Sequence, residues 1–211
     1  MKSSFFKFSV RDIAEVAVLC ALAVVLDKFA KIPIGITGGS VSLATVPLFI
    51  IAFRHGWFKG LVGAGLIFGL TTCLLDGYGF QLFPFDYFFA FSSIAIGGLF
   101  GRIIFKNFCK KGAIGKVIAI LLVIVSVAIF CILRTLSASV DSMIFYDYTF
   151  WASIAYNISY IGPSCIGVAI VLPILHPLFN TINKIYPTSY LRDALDYEEE
   201  DEETKVHFKT H

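Results

Sequence analysis

Charged side chains are scarce in this chain, and the residue patterns of common enzyme sites are missing. Of its 211 residues, 15% are charged and 57% are hydrophobic, and the mean hydropathy is +0.81. The sequence has no phosphate-binding glycine loop with its lysine, no pair of metal ligands spaced for one helix face, and no candidate Ser-His-Asp triad. These gaps argue against a soluble domain and against an enzyme, and ATP hydrolysis would need another polypeptide.

The cysteines also lack the spacing of a metal site or of a disulfide framework. They stand singly in or beside apolar segments, as Cys20, Cys73, Cys109, Cys131 and Cys165. We interpret them as packing residues, since a free cysteine behaves as a small apolar side chain. We expect no cofactor, no metal and no nucleic-acid partner.

Six apolar segments fill most of the chain, at residues 13–26, 41–53, 61–75, 87–105, 117–133 and 152–175. A helix needs about 17–25 apolar residues to cross the hydrocarbon core, and polar-tipped flanks or tilt can complete a shorter run. The segments therefore predict an all-α integral membrane protein in the cell membrane. We expect six transmembrane helices in one compact bundle over residues 1–190, followed by an acidic tail over residues 191–211.

The distribution of lysine and arginine predicts the orientation of this bundle. Basic residues precede the first segment, separate the second from the third and the fourth from the fifth, and follow the sixth. Such residues favour the cytoplasmic side, so both termini are predicted to be cytoplasmic. Lys28 and Lys31, in the first connection, are the exception.

Polar residues gather at the predicted outer ends of the segments. Asp86 is the sharpest case, because phenylalanines surround it and a carboxylate at membrane depth is a functional candidate. An alternative is that Asp86 caps the fourth helix. Carboxylates among tyrosine and tryptophan rings suit a flat cationic or amidine-like ligand, although such rings also occur in interfacial belts. The candidate binding residues are Asp86, Tyr87, Tyr146, Trp151, Tyr156 and Asn157.

The stretch from Arg134 to Trp151 is expected to form the fifth connection, at the outer side, with Asp141 and Asp147 in it. His176 lies between Pro173 and Pro177 and is expected to mark the end of the sixth helix.

Small residues recur four positions apart, where helices pack closely in a membrane. The glycine pairs at 56/60, 65/69 and 97/101 are explained by packing inside the bundle. Ala17 and Ala21 start the first helix near the predicted cytoplasmic side. They serve either the same packing or the docking of a partner helix.

The sequence resembles the thiamine-specific S components of energy-coupling factor (ECF) transporters over about residues 10–180. The most specific block is residues 47–69. It comprises most of the stretch ATVPLFIIAFRHG, which starts at Ala44, and the glycines that follow up to Gly69. Phe85-Asp86-Tyr87 resembles the start of that family's fourth helix, and Trp151-x4-Tyr156 followed by Gly162 resembles the start of its sixth. Ala17-x3-Ala21 matches its docking motif.

The resemblance implies a six-helix subunit that captures a vitamin from outside. It also implies a transmembrane coupling protein and two ATPase subunits as partners, besides the lipid bilayer. By similarity, Asp86 replaces a ring-contacting glutamate, Tyr87 and Tyr156 keep their aromatic positions, and Tyr146 replaces a stacking tryptophan. Other family ligand positions differ, at Gly38, Ser42, Ala138 and Ile161, and Asn157 is a candidate substitute for the asparagine expected at 161.

Three functions therefore remain open on sequence alone. The first is a substrate-binding subunit for thiamine or a close relative, and the second is the same kind of subunit for another vitamin or nucleobase-like compound. The third is a membrane enzyme or a purely structural bundle. The sequence supplies no site for the enzyme, and a structural bundle would not need several aspartates and tyrosines at one side.

Overall fold

The computed structural model describes residues 6–34, 39–109 and 112–192. Its elements, in chain order, are α1 (Val10–Phe29), β1 (Lys31–Pro33), β2 (Ser40–Ser42), α2 (Thr45–His55), α3 (Trp57–Asp76), α4 (Phe80–Cys109), α5 (Ala113–Tyr146) and α6 (Phe150–Ile185). The two strands form an antiparallel hairpin that pairs Lys31 with Ser42 and Pro33 with Ser40. The fold is thus helical except for this hairpin, which the apolar pattern did not predict.

The helices run alternately up and down, as contacts at the two ends show. At one end, which we call the hairpin end, Lys28 at the end of α1 meets Asp76 at the end of α3. At the other end, the termini end, Arg54 from α2 meets Glu15 near the start of α1 and Asn183 near the end of α6. Neighbouring helices are therefore antiparallel, as short connections require.

Four helices in the described part of the chain, α3 to α6, are long and apolar enough to cross a membrane. The helix α2 is apolar but has only 11 residues, because the segment predicted from residue 41 begins as strand β2. The helix α1 has 20 residues, but charged side chains stand in its first and last turns. Length and composition alone thus support four of the six predicted spans.

The fifth connection is much shorter than expected, because α5 continues through Tyr146 and leaves only Asp147 to Thr149 as a turn. The serine hydroxyls of this stretch do not end the helix, since they find acceptors within it or on a neighbouring helix. Ser142 donates to the carbonyl of Ala138 at 2.9 Å, and Ser137 donates to the carbonyl of Phe85 on α4. Asp141 is consequently a buried helix residue rather than a loop residue.

The expectation that α6 ends near His176 is also wrong. The helix runs to Ile185 with Pro163, Pro173 and Pro177 inside it. Proline frees a backbone carbonyl of the preceding turn, and membrane helices satisfy such groups locally. The carbonyl of Pro177 itself accepts a hydrogen bond from Thr181 Oγ1 at 3.0 Å.

Glycines let α4 approach α2 and α3 at backbone distance. A Cβ atom added at Gly101 would lie 2.3 Å from the carbonyl oxygen of Phe53, and one added at Gly98 would lie 2.5 Å from the nitrogen of Trp57. Gly65 likewise leaves room for Ser92. The prediction that the glycine pairs at 65/69 and 97/101 serve internal packing is confirmed for Gly65 and Gly101.

A buried group of charged side chains joins three helices at the termini end. Lys59 Nζ lies 2.7 Å from Asp12 Oδ2, and Arg54 Nε lies 2.8 Å from Glu15 Oε2. His55 lies between the two acids, 3.2 Å from Asp12 and 3.0 Å from Glu15. The sequence placed these basic residues in a cytoplasmic loop. They are buried because α1 supplies carboxylates in its first two turns.

Residues that follow α6 still pack against the bundle, close to the predicted domain boundary at residue 190. Tyr190 and Leu191 pack against Phe105 of α4, and the Tyr190 hydroxyl donates to the carbonyl of Gly98 at 2.6 Å. Burial raises the pKa of the Tyr190 phenol. The acidic block at residues 198–203 lies outside the described residues.

Candidate ligand-binding site

A cavity of about 150 Å³ opens at the hairpin end. A water molecule needs only about 10–15 Å³ by the same kind of measure, so the cavity has room for a larger guest. All six helices contribute wall residues between the hairpin and the middle of the bundle, and the contribution of α1 is Asp27 in its last turn. The cavity is therefore a site on which the whole fold converges.

One acidic group of the wall, Asp76, is fully engaged. Its Oδ1 lies 2.5 Å from Lys28 Nζ, and its Oδ2 accepts a hydrogen bond of 2.9 Å from the Tyr87 hydroxyl. Lys28 also lies 3.4 Å from Asp27. This network ties α1, α3 and α4 together beside the cavity, and it fixes the ring of Tyr87 in the wall.

A second acid, Asp86, is not engaged. The segment Phe83–Phe89 forms wide turns with i to i+5 hydrogen bonds, which are frequent at functional sites. Asp86 lines the cavity from this segment and, within the described residues, makes no hydrogen bond or ion pair. Asp86 is not the N-cap of α4, because the helix starts at Phe80. It is not the N-cap of the wide-turn segment Phe83–Phe89 either, because Leu82 occupies that position. The capping alternative for Asp86 is therefore wrong.

Arg134, one of the basic residues that line the cavity, lies against aromatic rings. The guanidinium carbon of Arg134 lies 4.2 Å from the centre of the Phe91 ring and 5.8 Å from that of Phe130. No carboxylate of the described chain lies within ion-pair distance of it. The ring faces attract its positive charge, so the arginine rests on aromatic walls beside Asp86.

The hairpin is seated on α6 by Tyr160 and Ser164. A Cβ atom added at Gly39 would lie 2.7 Å from Tyr160 Cδ1, so only glycine lets the hairpin approach this ring so closely. The backbone nitrogen of Ser42 donates to Ser164 Oγ at 3.2 Å. The hairpin thus forms one wall of the cavity, with Tyr160 beneath it.

Two of the six predicted binding residues, Asp86 and Tyr87, line the cavity. Asn157 is 2% exposed and lies one layer behind the wall, where its Oδ1 accepts a 2.6 Å hydrogen bond from the Tyr160 hydroxyl and its Nδ2 donates to Ser142 Oγ at 3.1 Å. The ring centre of Tyr156 lies 5.8 Å from that of Tyr160.

The two other predicted residues, Tyr146 and Trp151, do not line the cavity. They are 54% and 76% exposed at the hairpin end, where α5 ends and α6 begins. Such positions are typical of an aromatic belt at the membrane surface. Ala17 and Ala21 are exposed on the outer face of α1, turned away from the cavity.

Several wall residues are not among the six predicted binding residues, including Asp76, Arg134 and Tyr160. The signal for Asp76 was present, because Lys28 was an exception to the distribution of basic residues and these two side chains are partners. Of the positions that depart from the family pattern, Ser42 and Ile161 line the cavity and Ala138 is buried outside its wall. Gly38 lies outside the described residues.

A bundle of apolar helices with a charged and aromatic cavity at one end is the architecture of a membrane protein with room for a small molecule. The sequence model of the thiamine transporter protein family matches residues 13–184. The chain belongs to this family, which confirms the resemblance drawn from the sequence. It is accordingly a multi-pass protein of the cell membrane and a transport protein rather than an enzyme.

Two relatives show how far the similarity extends. Thiamine transporter ThiT of Bacillus subtilis is 35% identical over 181 residues, which cover 76% of this chain and 88% of that protein. A solved structure of ThiT from Listeria monocytogenes superposes with a TM-score of 0.63 at 26% identity, covering 86% of this chain and 97% of that one. The similarity therefore extends over nearly the whole bundle.

Proposed function

We propose that this protein is the S component of an ECF transporter and captures thiamine at the hairpin end. The observation that carries the proposal is the cavity itself, in which an unpaired carboxylate, Asp86, stands among aromatic rings inside an apolar bundle. Membership of the thiamine transporter family supports the choice of ligand.

The chemistry of thiamine fits these walls. Its aminopyrimidine ring carries N–H donors, and its thiazolium ring carries a permanent positive charge. Asp86 accepts the N–H donors, as a carboxylate does for an amidine-like group. The faces of Tyr87, Phe91 and Tyr160 offer stacking and attract positive charge.

The remaining predicted residues take supporting places in this proposal. Asn157 and Tyr156 hold the Tyr160 ring through the hydrogen bond and the ring contact described above. Tyr146 and Trp151 form the aromatic rim of the hairpin end, from which the ligand enters.

The proposal includes six membrane spans with both termini in the cytoplasm. The alternating directions of the helices support an even number of spans. The helices α1 and α2 bring that number from four to six, although α1 is charged at its ends and α2 is short. Basic residues gather at the termini end, and Lys28 is neutralised by Asp76 rather than left as a free charge. The hairpin end then faces outside.

Partners supply the energy, since the chain has no nucleotide site in its sequence. They are the ECF transmembrane coupling protein and its two ATPase subunits. The exposed small side chains of Ala17 and Ala21 leave a shallow strip on α1 on which a helix of the coupling protein can pack closely.

The orientation can be tested with single cysteines in a variant that lacks the five native ones. A membrane-impermeant maleimide added to intact cells should label residue 147, which is exposed in the turn after α5. It should label residue 112, exposed before α5, only after the cells are permeabilised. Labelling of 112 alone in intact cells would contradict the proposed orientation.

The docking strip can be tested with Ala17→Trp and Ala21→Trp. Each indole holds the partner helix away, so uptake of thiamine into cells should be lost while the purified subunit binds thiamine as before. Ala155→Trp, at an exposed alanine of α6, is the matched control and should leave uptake intact. Uptake at the wild-type rate in both α1 variants would show that these alanines do not dock a partner.

The binding role of Asp86 can be tested with Asp86→Asn. A hydrogen bond involving a charged group is worth about 1.5–3 kcal/mol, so thiamine should bind about tenfold more weakly or worse. Isothermal titration calorimetry of the purified protein is the suitable measurement, because Trp151 lies away from the cavity and its fluorescence is a poor reporter. Asp147→Asn, at an exposed acid, should not change the affinity. Equal thiamine affinity in the Asp86→Asn and Asp147→Asn variants would show that Asp86 does not bind the ligand.

A further inference from the structure

Asp141 is a buried carboxylate that the proposed function does not use. It is 4% exposed on α5, and its Oδ1 is fully buried without a hydrogen-bond partner in the described structure. Asp12 is buried to the same extent, but its Oδ2 lies 2.7 Å from Lys59 Nζ. A buried carboxylate without a partner is destabilising, because its lost hydration is not replaced. In its ionised form, Asp141 would need a compensating charge from elsewhere.

Asp141 lies on the same face of α5 as the cavity residue Arg134. Arg134, Ala138 and Asp141 are spaced by four and three residues, so they share one face of the helix. Arg134 lines the cavity, and seven residues of helix place Asp141 about 10 Å further toward the hairpin end. Ala138 contributes only a methyl group between them. Asp141 therefore lies on the hairpin-end side of Arg134, buried just outside the cavity wall.

Neighbouring polar groups do not neutralise this carboxylate. The amide of Asn157 is committed to Ser142, to the carbonyl of Ser153 and to Tyr160, and the hydroxyl oxygen of Ser153 is itself buried without a partner. No lysine, arginine or histidine of the described chain lies within ion-pair distance of Asp141. No group of three or more metal-binding side chains was found among these residues, so a resident metal ion is not the compensating charge either.

We propose that Asp141 is the second carboxylate of the binding site and selects ligands that carry a fixed positive charge. It receives the cationic ring, while Asp86 holds the hydrogen-bond donors of the other ring. The assignment rests on the proposed function, because it divides one ligand between two acids. In this assignment, Asp141 determines the preference for a positively charged ligand, and Asp86 binds the aminopyrimidine ring.

The experiment compares two ligands that differ only in charge. Thiamine has a thiazolium ring, and its deaza analogue has a neutral thiophene in the same place, with the same aminopyrimidine. Asp141→Asn should weaken thiamine about tenfold or more, as loss of a charged partner does, and should leave the neutral analogue within about twofold. Calorimetry of the purified variants, with thermal stability recorded beside it, gives both numbers.

Three further variants make the outcome specific. Asp86→Asn should weaken both ligands alike, because both carry the aminopyrimidine, and Asp147→Asn should weaken neither. Asp141→Glu, which keeps the charge, should retain the preference for thiamine and serves if Asp141→Asn does not fold. Equal weakening of the two ligands by Asp141→Asn would make Asp141 structural and overturn the inference. Failure of the wild-type protein to bind thiamine would instead overturn the proposed function.

Discussion

The cost of keeping a charge among apolar helices shapes both ends of this bundle. At the termini end, Asp12 and Glu15 are matched by Lys59 and Arg54 at 2.7 and 2.8 Å, so buried charges there are compensated within the chain. At the hairpin end, Asp86 and Asp141 have no such partners in the described structure. Buried acids are thus paired within the chain at the termini end, whereas these two acids at the hairpin end are not.

Ion pairs at the two ends of α1 position the hairpin. The buried ion pairs hold the start of α1 against α2 and α3, and the far end of α1 is held by the contact of Lys28 with Asp76. The hairpin follows α1 directly, so its seat on Tyr160 depends on where α1 ends. A wall of the cavity is therefore positioned by contacts made at both ends of one helix.

The sequence predicted the helices well where apolar character was continuous, and less well at their ends. Residues 134–146 read as a loop because they are polar, yet Ser142 satisfies its hydroxyl on the preceding turn and Ser137 on a neighbouring helix. The apolar run from residue 41 read as one span, yet its first residues pair with β1 in the hairpin. Apolar content does not distinguish a short strand from the start of a helix.

The candidate site shows the same division. Asp86 and Tyr87 could be predicted, because an acid at membrane depth stands out in one sequence and the family resemblance pointed to the same pair. The role of Asp76 could not, since its partner Lys28 is 48 residues away. Tyr160 depends on the close approach of Gly39 and on a hydrogen bond to Asn157. Those are properties of packing, which neither composition nor spacing reveals.

The central claim is that the cavity at the hairpin end binds thiamine. Native mass spectrometry of the full-length protein, extracted in mild detergent from cells supplied with thiamine, tests it most directly. The account predicts one bound molecule with the mass of thiamine, released as a single species on collisional activation. A bound molecule of another mass, or a protein that stays ligand-free when thiamine is added in excess, would contradict it.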